Sequence, residues 1–371
     1  MKKNRILLIL AAVLSLFVLT TAAVAEEETE TEEYVRSRLT GELVPAEIGN
    51  SRPIAVMLNN IYDAVPQYGI SKADVIVEAE VEGLITRFMG IFEDYEDCGR
   101  IGSIRSARNY YYYFAREFQA IYCHWGEAAY ALPLLRLDST LELDGQTSSV
   151  GFFRSDDRVS PHNGFTDYSH IRAGIEEQGI DDQLPESYTR HFLFAEDGEE
   201  IVPDGIVARV VMPGYTYNHA RFDYNSEDGL YYRSQFYDAQ VDGDTGEQLA
   251  YKNIILQYCD STAFDDNGYL WTDVVSGGTG KYITNGRCID ITWSKPQAQE
   301  DTTFIVNIEA PNITVPVYTG DFEVTHYYDT DGNEITLNQG NTWICLIRNS
   351  AADSVLITDN ASVSTDIIDS M

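Results

Sequence analysis

The segment Val75-Ile-Val-Glu-Ala-Glu-Val81 combines β-branched residues with an alternation of apolar and acidic side chains, the period-two pattern of a strand. Upstream, Pro53 to Leu58 forms a short apolar strand, and downstream Thr86 to Phe92 forms another after a turn at Gly83. Ser106 then stands where a helix N-cap would, ahead of a helix predicted over Ala107 to Phe118. Ala120 to His124 returns as a strand, and Glu127 to Leu137 is predicted as a helix. This mixture predicts a mixed α/β domain over residues 50–196.

Beyond residue 205 the texture changes. Runs such as Val207-Ala-Arg-Val-Val-Met212, Asn253-Ile-Ile-Leu-Gln-Tyr258, Cys288-Ile-Asp-Ile-Thr-Trp293 and Thr342-Trp-Ile-Cys-Leu-Ile347 are separated by Gly, Asn and Asp turns with no helical stripe between them. A mostly antiparallel β domain is therefore expected over 205–360, which makes the fold class α+β. Asp197 to Asp204 is polar, holds Gly198 and Pro203, and reads as the linker. The length of 371 residues also favours two domains.

The N-terminus reads as an export signal. Lys2, Lys3 and Arg5 precede an apolar run from Ile6 to Leu19, and Ala23-Val24-Ala25 offers a signal peptidase its small-x-small pattern, so residues 1–25 are expected to be removed. The competing reading is an uncleaved anchor, since Ile6 to Ala25 is roughly a bilayer's thickness as a helix. No Cys follows the run to accept a lipid. Residues 26–49, opening with a Glu/Thr tract, are expected to be an acidic spacer. The mature chain is thus placed outside the cytoplasmic membrane, with membrane contact only through an uncleaved signal segment.

A net charge of −34 excludes nucleic acid and adhesion to anionic lipid, whereas 44% apolar content is ample for packed cores. Cys98, Cys123, Cys259, Cys288 and Cys345 form no CxxC or Cys/His cluster, and they read as small buried hydrophobes. No metal and no cofactor are called for.

Within this acidic chain Arg87, Arg100, Arg105, Arg108 and Arg116 crowd one short region around Gly99-Arg-Ile-Gly-Ser-Ile-Arg-Ser-Ala-Arg-Asn109. If Ser106 opens a helix, its free N–H groups beside Arg105 and Arg108, with Arg87 from the neighbouring strand, would hold a carboxylate or phosphate. The structural alternative pairs these arginines with Asp74, Glu78, Glu80 or Glu82. His124 and His162 stand at strand or loop ends where they could reach the same cleft, and Glu82 could act as a general acid or base.

Gly277-Gly-Thr-Gly-Lys281 lacks both the first Gly and the Ser/Thr of a phosphate loop and reads as a hairpin turn. HExxH, GxSxG and SxxK are absent. Asp242-Gly-Asp-Thr-Gly-Glu247 and Asp329-Thr-Asp-Gly-Asn333 fall short of a calcium loop and read as turns. The Tyr110 to Tyr113 run could stack on sugars, but core packing explains it as well.

In Arg52-Pro-Ile-Ala-Val-Met-Leu-Asn-Asn60, Ile70-Ser-Lys-Ala-Asp74, Glu80-Val-Glu-Gly-Leu-Ile-Thr-Arg87, Ile101-Gly-Ser-Ile-Arg-Ser-Ala-Arg108 and Pro161-His-Asn163 the chain resembles the YerB family of exported bacterial proteins. Lys252-Asn253, Gly277-Gly-Thr-Gly280, Ile291-Thr-Trp-Ser-Lys295 and Gly340-Asn-Thr-Trp343 extend the resemblance over nearly the whole mature chain. The halves of that family are known as the N- and C-terminal domains of unknown function 3048, so the resemblance implies export and no particular chemistry. Its members are often lipoproteins, and this chain departs from them in lacking the lipid-accepting Cys.

Two function classes fit these residues. One is a cell-envelope protein that binds an anionic wall component or envelope partner through the Arg-rich cleft. The other is an envelope hydrolase acting on a wall glycan or peptide, with Glu82 and His124 or His162 in proton transfer. The missing nucleophile and metal signatures favour the first. N-terminal sequencing of the protein from its native host is expected to begin at Glu26; an intact Met1 to Ala25 segment would establish the anchor instead.

Overall fold

The computed structural model describes residues 33–370 except 138–139, 189, 296–299, 308–311 and 319–323; the export segment and residues 26–32 lie outside the described residues. Residues from Tyr34 onward form one compact unit. The architecture is mostly β with few helices.

The largest sheet has eleven strands among the described residues: β1 (Ile54–Asn59), β2 (Val75–Glu80), β3 (Thr86–Phe92), β4 (Ile121–His124), β5 (Glu142–Asp144), β6 (Ile206–Val207), β7 (Asn253–Cys259), β8 (Gly278–Thr284), β9 (Arg287–Ser294), β10 (His326–Tyr328) and β11 (Thr342–Arg348). Their spatial order is β6-β9-β8-β7-β11-β2-β3-β1-β4-β5, with β10 on the free side of β9. Strands β1, β2 and β7 are buried at every position, as expected of strands covered on both faces. Ala55 and Met57 of β1 enter one core, while Ile54, Val56 and Leu58 enter the other.

The first core is covered by helix α1 (Asn109–Glu117), whose Tyr110 to Tyr113 are all buried. That run is core, not an exposed stacking surface. The second core lies under a six-stranded antiparallel sheet running through Val210–Met212, Arg221–Asn225 and Leu230–Gln235.

Strand β11 is the seam. It pairs in parallel with β7 on one side and β2 on the other, setting Cys345 opposite Glu78. The segments 50–196 and 205–360, expected to pack separately, therefore share one sheet. The physical reason is that β11 and β2 each need a neighbour on both edges and a cover on both faces. The linker reading of Asp197 to Asp204 changes accordingly. Ile201 donates its N–H to Asn338 Oδ1 at 2.8 Å, and its carbonyl accepts from Asn285 and Asn338.

The spacer is shorter than expected. Tyr34–Arg36 and Leu43–Pro45 pair as antiparallel strands, Leu39 is buried in the first core, and Arg36 is paired with Asp197. Ser106 caps no helix. α1 starts at Asn109 after an extended Arg108, because Ala107 is drawn into a bridge with Glu127 and exchanges backbone bonds with Gly126 and Ala128. The same bridge unravels the helix expected over Glu127 to Leu137, which survives only as Leu132–Leu135. A further helix, α2 (Tyr168–Gln178), carries the signals the sequence reading passed over: Asp167 accepts from the His170 N–H at the N-cap, and Gly179 takes φ 66° at the C-terminus.

Across the two sheets runs a buried ion pair. Arg233 donates to Glu78 Oε1 and Oε2 at 3.0 and 2.8 Å, and both side chains are 0% exposed. Trp343 Nε1 and Asn218 Nδ2 also donate to Glu78, at 3.1 and 3.0 Å, and Arg233 lies over the Trp343 ring. Arg233→Ala, which strands a buried carboxylate, is expected to cost about 3–5 kcal/mol in a urea melt. A loss below about 1 kcal/mol would contradict this account of the pair.

Candidate functional site

The arginine cluster forms where β2, β3 and the loop before α1 meet. Glu82, just past β2, and Arg108, just before α1, make a two-pronged pair: Arg108 Nε and Nη2 each donate to a Glu82 oxygen at 2.7 Å. Burial alone would lower the Arg108 guanidinium, but the two bonds to Glu82 hold it above its usual value. Burial likewise opposes the Glu82 charge, and Arg108 overcomes it, leaving the carboxyl below its usual range. Such a carboxylate is held ionised and is a poor proton donor.

Arg87, on β3, donates to the Ser106 carbonyl at 2.7 Å. It is pushed down to about 10 by burial and then by the charge of Arg108, with Glu82 compensating only in part. Arg105 is lowered by burial and by Arg108. Its Nη1 donates to Pro161 O at 3.3 Å, while its buried Nε has no protein partner. Three guanidinium groups thus sense one another, and Glu82 acts on two of them, Arg108 and Arg87.

The other expected carboxylates point elsewhere. Glu78 belongs to Arg233, Glu80 to Arg348, and Asp74 accepts the Glu93 N–H at 2.7 Å. Arg100 pairs with Asp157 at 2.9 Å and lies 3.8 Å from the centroid of the Tyr68 ring, whereas Arg116 donates to the Tyr112 hydroxyl. Neither joins the cluster.

The two histidines separate. His124, at the end of β4, is fully buried between Glu142 Oε2 and Gly126 O, both at 3.0 Å, so it ties β4 to β5 and the following loop. His162 is half-exposed, with Nδ1 2.9 Å from Asn59 Nδ2. It is held below its usual value by burial and then by Arg105, with Asp63 opposing. The structure therefore brings Arg87, Arg105, Arg108 and Glu82 together, places His162 at the edge of Arg105, and leaves His124 out. Ser106 contributes its carbonyl to Arg87 and its hydroxyl to the Trp125 carbonyl at 3.2 Å; it opens no row of helix N–H groups.

The remaining motifs have structural duties. Gly278 begins strand β8, and the turn it precedes is Asn285-Gly286, one strand later than expected. Asp242 is fully buried and accepts from the Ser71 N–H and hydroxyl at 3.0 Å, and Asp329 accepts from the N–H groups of Asp331 and Asn333 within a turn. All five cysteines are free and buried, and burial pushes Cys123 up to about 12.

Because Arg108 is buried in a two-pronged pair and Arg105 is half-buried with one long hydrogen bond, their truncations should differ. Arg108→Ala is expected to lose about 3 kcal/mol by stranding Glu82. Arg105→Ala, which gives up one long hydrogen bond, is expected to lose no more than about 1 kcal/mol. Chemical denaturation of both variants checks the order.

The profile of the DUF3048 N-terminal domain, described as a protein of unknown function, matches residues 39–181, and that of the DUF3048 C-terminal domain matches residues 209–316. The Bacillus subtilis (strain 168) protein named "Putative lipoprotein YerB" is 27% identical over 345 residues, covering 91% of this chain and 94% of its own length. The crystal structure of YerB protein from Bacillus subtilis superposes with a TM-score of 0.69 at 26% identity, over 88% of this chain and 100% of the other. With both profiles matched in order and the same architecture in YerB, this chain belongs to the DUF3048 family.

Proposed function

We propose that the protein is an envelope-located binding protein that engages an anionic group through Arg105, with Arg87 and Arg108 behind it and His162 beside it. The observation that carries this reading is the charge excess: Arg87, Arg105 and Arg108 act on one another while Glu82 makes its ion pair with Arg108, inside a chain of net charge −34. A partly desolvated positive excess is costly unless an anion compensates it. Its outer end is the half-buried Arg105, whose Nη1 reaches the surface beside Pro161 O, so an incoming carboxylate or phosphate would meet that residue first.

A binding role also fits the groups a hydrolase would need. Glu82 is locked to Arg108, and His124 is sealed between its partners. An extracytoplasmic setting is supported by the N-terminal apolar run and by the lipoprotein name of the Bacillus relative. Among the described residues no helix is long and apolar enough to cross a membrane. Wall components and envelope proteins supply the anionic groups available in that setting.

Calorimetric titration of the purified protein with muropeptides, against the same peptides with their carboxyl groups amidated, tests the proposal. Arg105→Ala is expected to weaken binding of the free acids by about tenfold, roughly 1.4 kcal/mol. Arg105→Lys is expected to impair it as well, because the planar fork is lost while the charge remains. Equal affinity for acid and amide would overturn the reading.

A further inference from the structure

The hairpin from Leu230–Gln235 to Asp238–Ala239 closes on two residues, Phe236 and Tyr237, with Gln235 paired to Asp238. Both take left-handed backbone, at φ 52° and 67°. Two-residue hairpins demand such backbone, and Asn-Gly adopts it at least cost. This chain does so at Asn285-Gly286, where φ is 47° and 71° between β8 and β9. At Phe236-Tyr237 it holds two aromatic residues in a conformation such side chains rarely take. Their rings are not spent on the core: Tyr237 is 58% exposed and Phe236 only half-buried. A local rule broken for rings that stay largely out of the core marks residues kept for something else.

Around this turn stand more rings. Tyr62, 66% exposed, meets Phe236 edge-on at 5.4 Å, and Tyr217 meets it edge-on at 5.6 Å. His219, with φ 49°, stacks on Tyr237 at 5.0 Å. The rim is acidic. Asp366 and Asp369 act on Tyr237, Asp369 Oδ1 lies 2.8 Å from His219 Nε2, and exposed Asp63 follows Tyr62.

We infer that this exposed aromatic cluster is a docking platform for a glycan, with the C–H faces of pyranose rings laid on Tyr62 and on the Tyr237 face turned away from His219, and sugar hydroxyls donating to Asp63 and Asp366. Exposed rings offer a flat apolar face at little entropic cost, and ionised carboxylates are strong acceptors for hydroxyl donors. The same carboxylates repel an anionic chain, which distinguishes the platform from the Arg105 site. The two surfaces are neighbours, because Asn59 holds His162 and Asp63 acts on that histidine's charge. The platform does not depend on the anion site for its argument.

Titration with the β-1,4-linked N-acetylglucosamine tetramer tests it. The wild-type protein binds the tetramer, Tyr62→Ala and Tyr237→Gly each weaken binding by about fivefold or more, and Tyr237→Phe stays within about twofold. Tyr237→Gly keeps or raises the melting temperature, since glycine takes the positive φ without penalty, so lost binding in that variant is not lost folding. Arg105→Ala leaves tetramer binding intact, which separates this platform from the proposed anion site. The inference is overturned if the wild type ignores the tetramer, if the tyrosine variants bind it unchanged, or if a lysine-rich peptide occupies these tyrosines in its place.

Discussion

The fold depends on burying one carboxylate safely. Glu78 sits in the middle of β2, with its side chain turned toward the six-stranded sheet and out of reach of solvent. An isolated charge there would cost several kcal/mol, so its oxygens must be met from outside the strand. Arg233 comes from the opposite sheet, Trp343 from the neighbouring β11, and Asn218 from the loop below. Each donor comes from a part of the chain more than a hundred residues away. Satisfying Glu78 therefore ties the N-terminal strands to the C-terminal ones and fixes how the two sheets face each other.

Around that pair the polar groups continue as amides. Gln235 donates to Asn60, Gln240 to Gln67, and Gln67 to the Asn59 carbonyl, all buried and all near 2.9 Å. Asn59 then reaches His162 at the surface. A buried polar network of this kind is stable only when its members are paired, and it holds Asn59 and the Tyr62 loop in place. The candidate anion site and the aromatic turn thus rest on the same rigid interior, with their exposed groups on loops rather than on strands.

Much of the local structure was legible from residue pattern. The strands at Val75, Thr86, Asn253 and Thr342 follow from their apolar and β-branched runs, and burial on both faces explains why those at Asn253 and Thr342 lack clean alternation. Helix α1 was visible, but its start was misplaced because Ser106 is a good cap only when its neighbours are free. Here Ala107 is committed to backbone bonds with residues 126 and 128. The arginine partners were only partly legible: Glu82 stood among four carboxylates offered to Arg108, whereas Arg233 finds Glu78 across 155 residues of sequence. The exposed aromatic turn was also hidden, since Phe236-Tyr237 reads as strand continuation until its backbone signs are known.

Composition and pattern alone determined that this is an acidic chain with ample apolar content for packed cores, strand-rich beyond residue 205, with an export-like N-terminus, a local excess of arginine, and the motifs of its family; the mixed α/β character expected of residues 50–196 gave way to a mostly β architecture. These follow from short-range rules of hydrophobicity, periodicity and charge. Only the tertiary structure decided that the two halves share a sheet, that Glu82 pairs with Arg108 and His124 with Glu142, and that Tyr237 faces outward while Arg105 stays half-buried. Those outcomes depend on parallel pairing at β11 and on which donors reach a buried carboxylate. Both are set by contacts between residues far apart in the chain, where no local pattern specifies the partner.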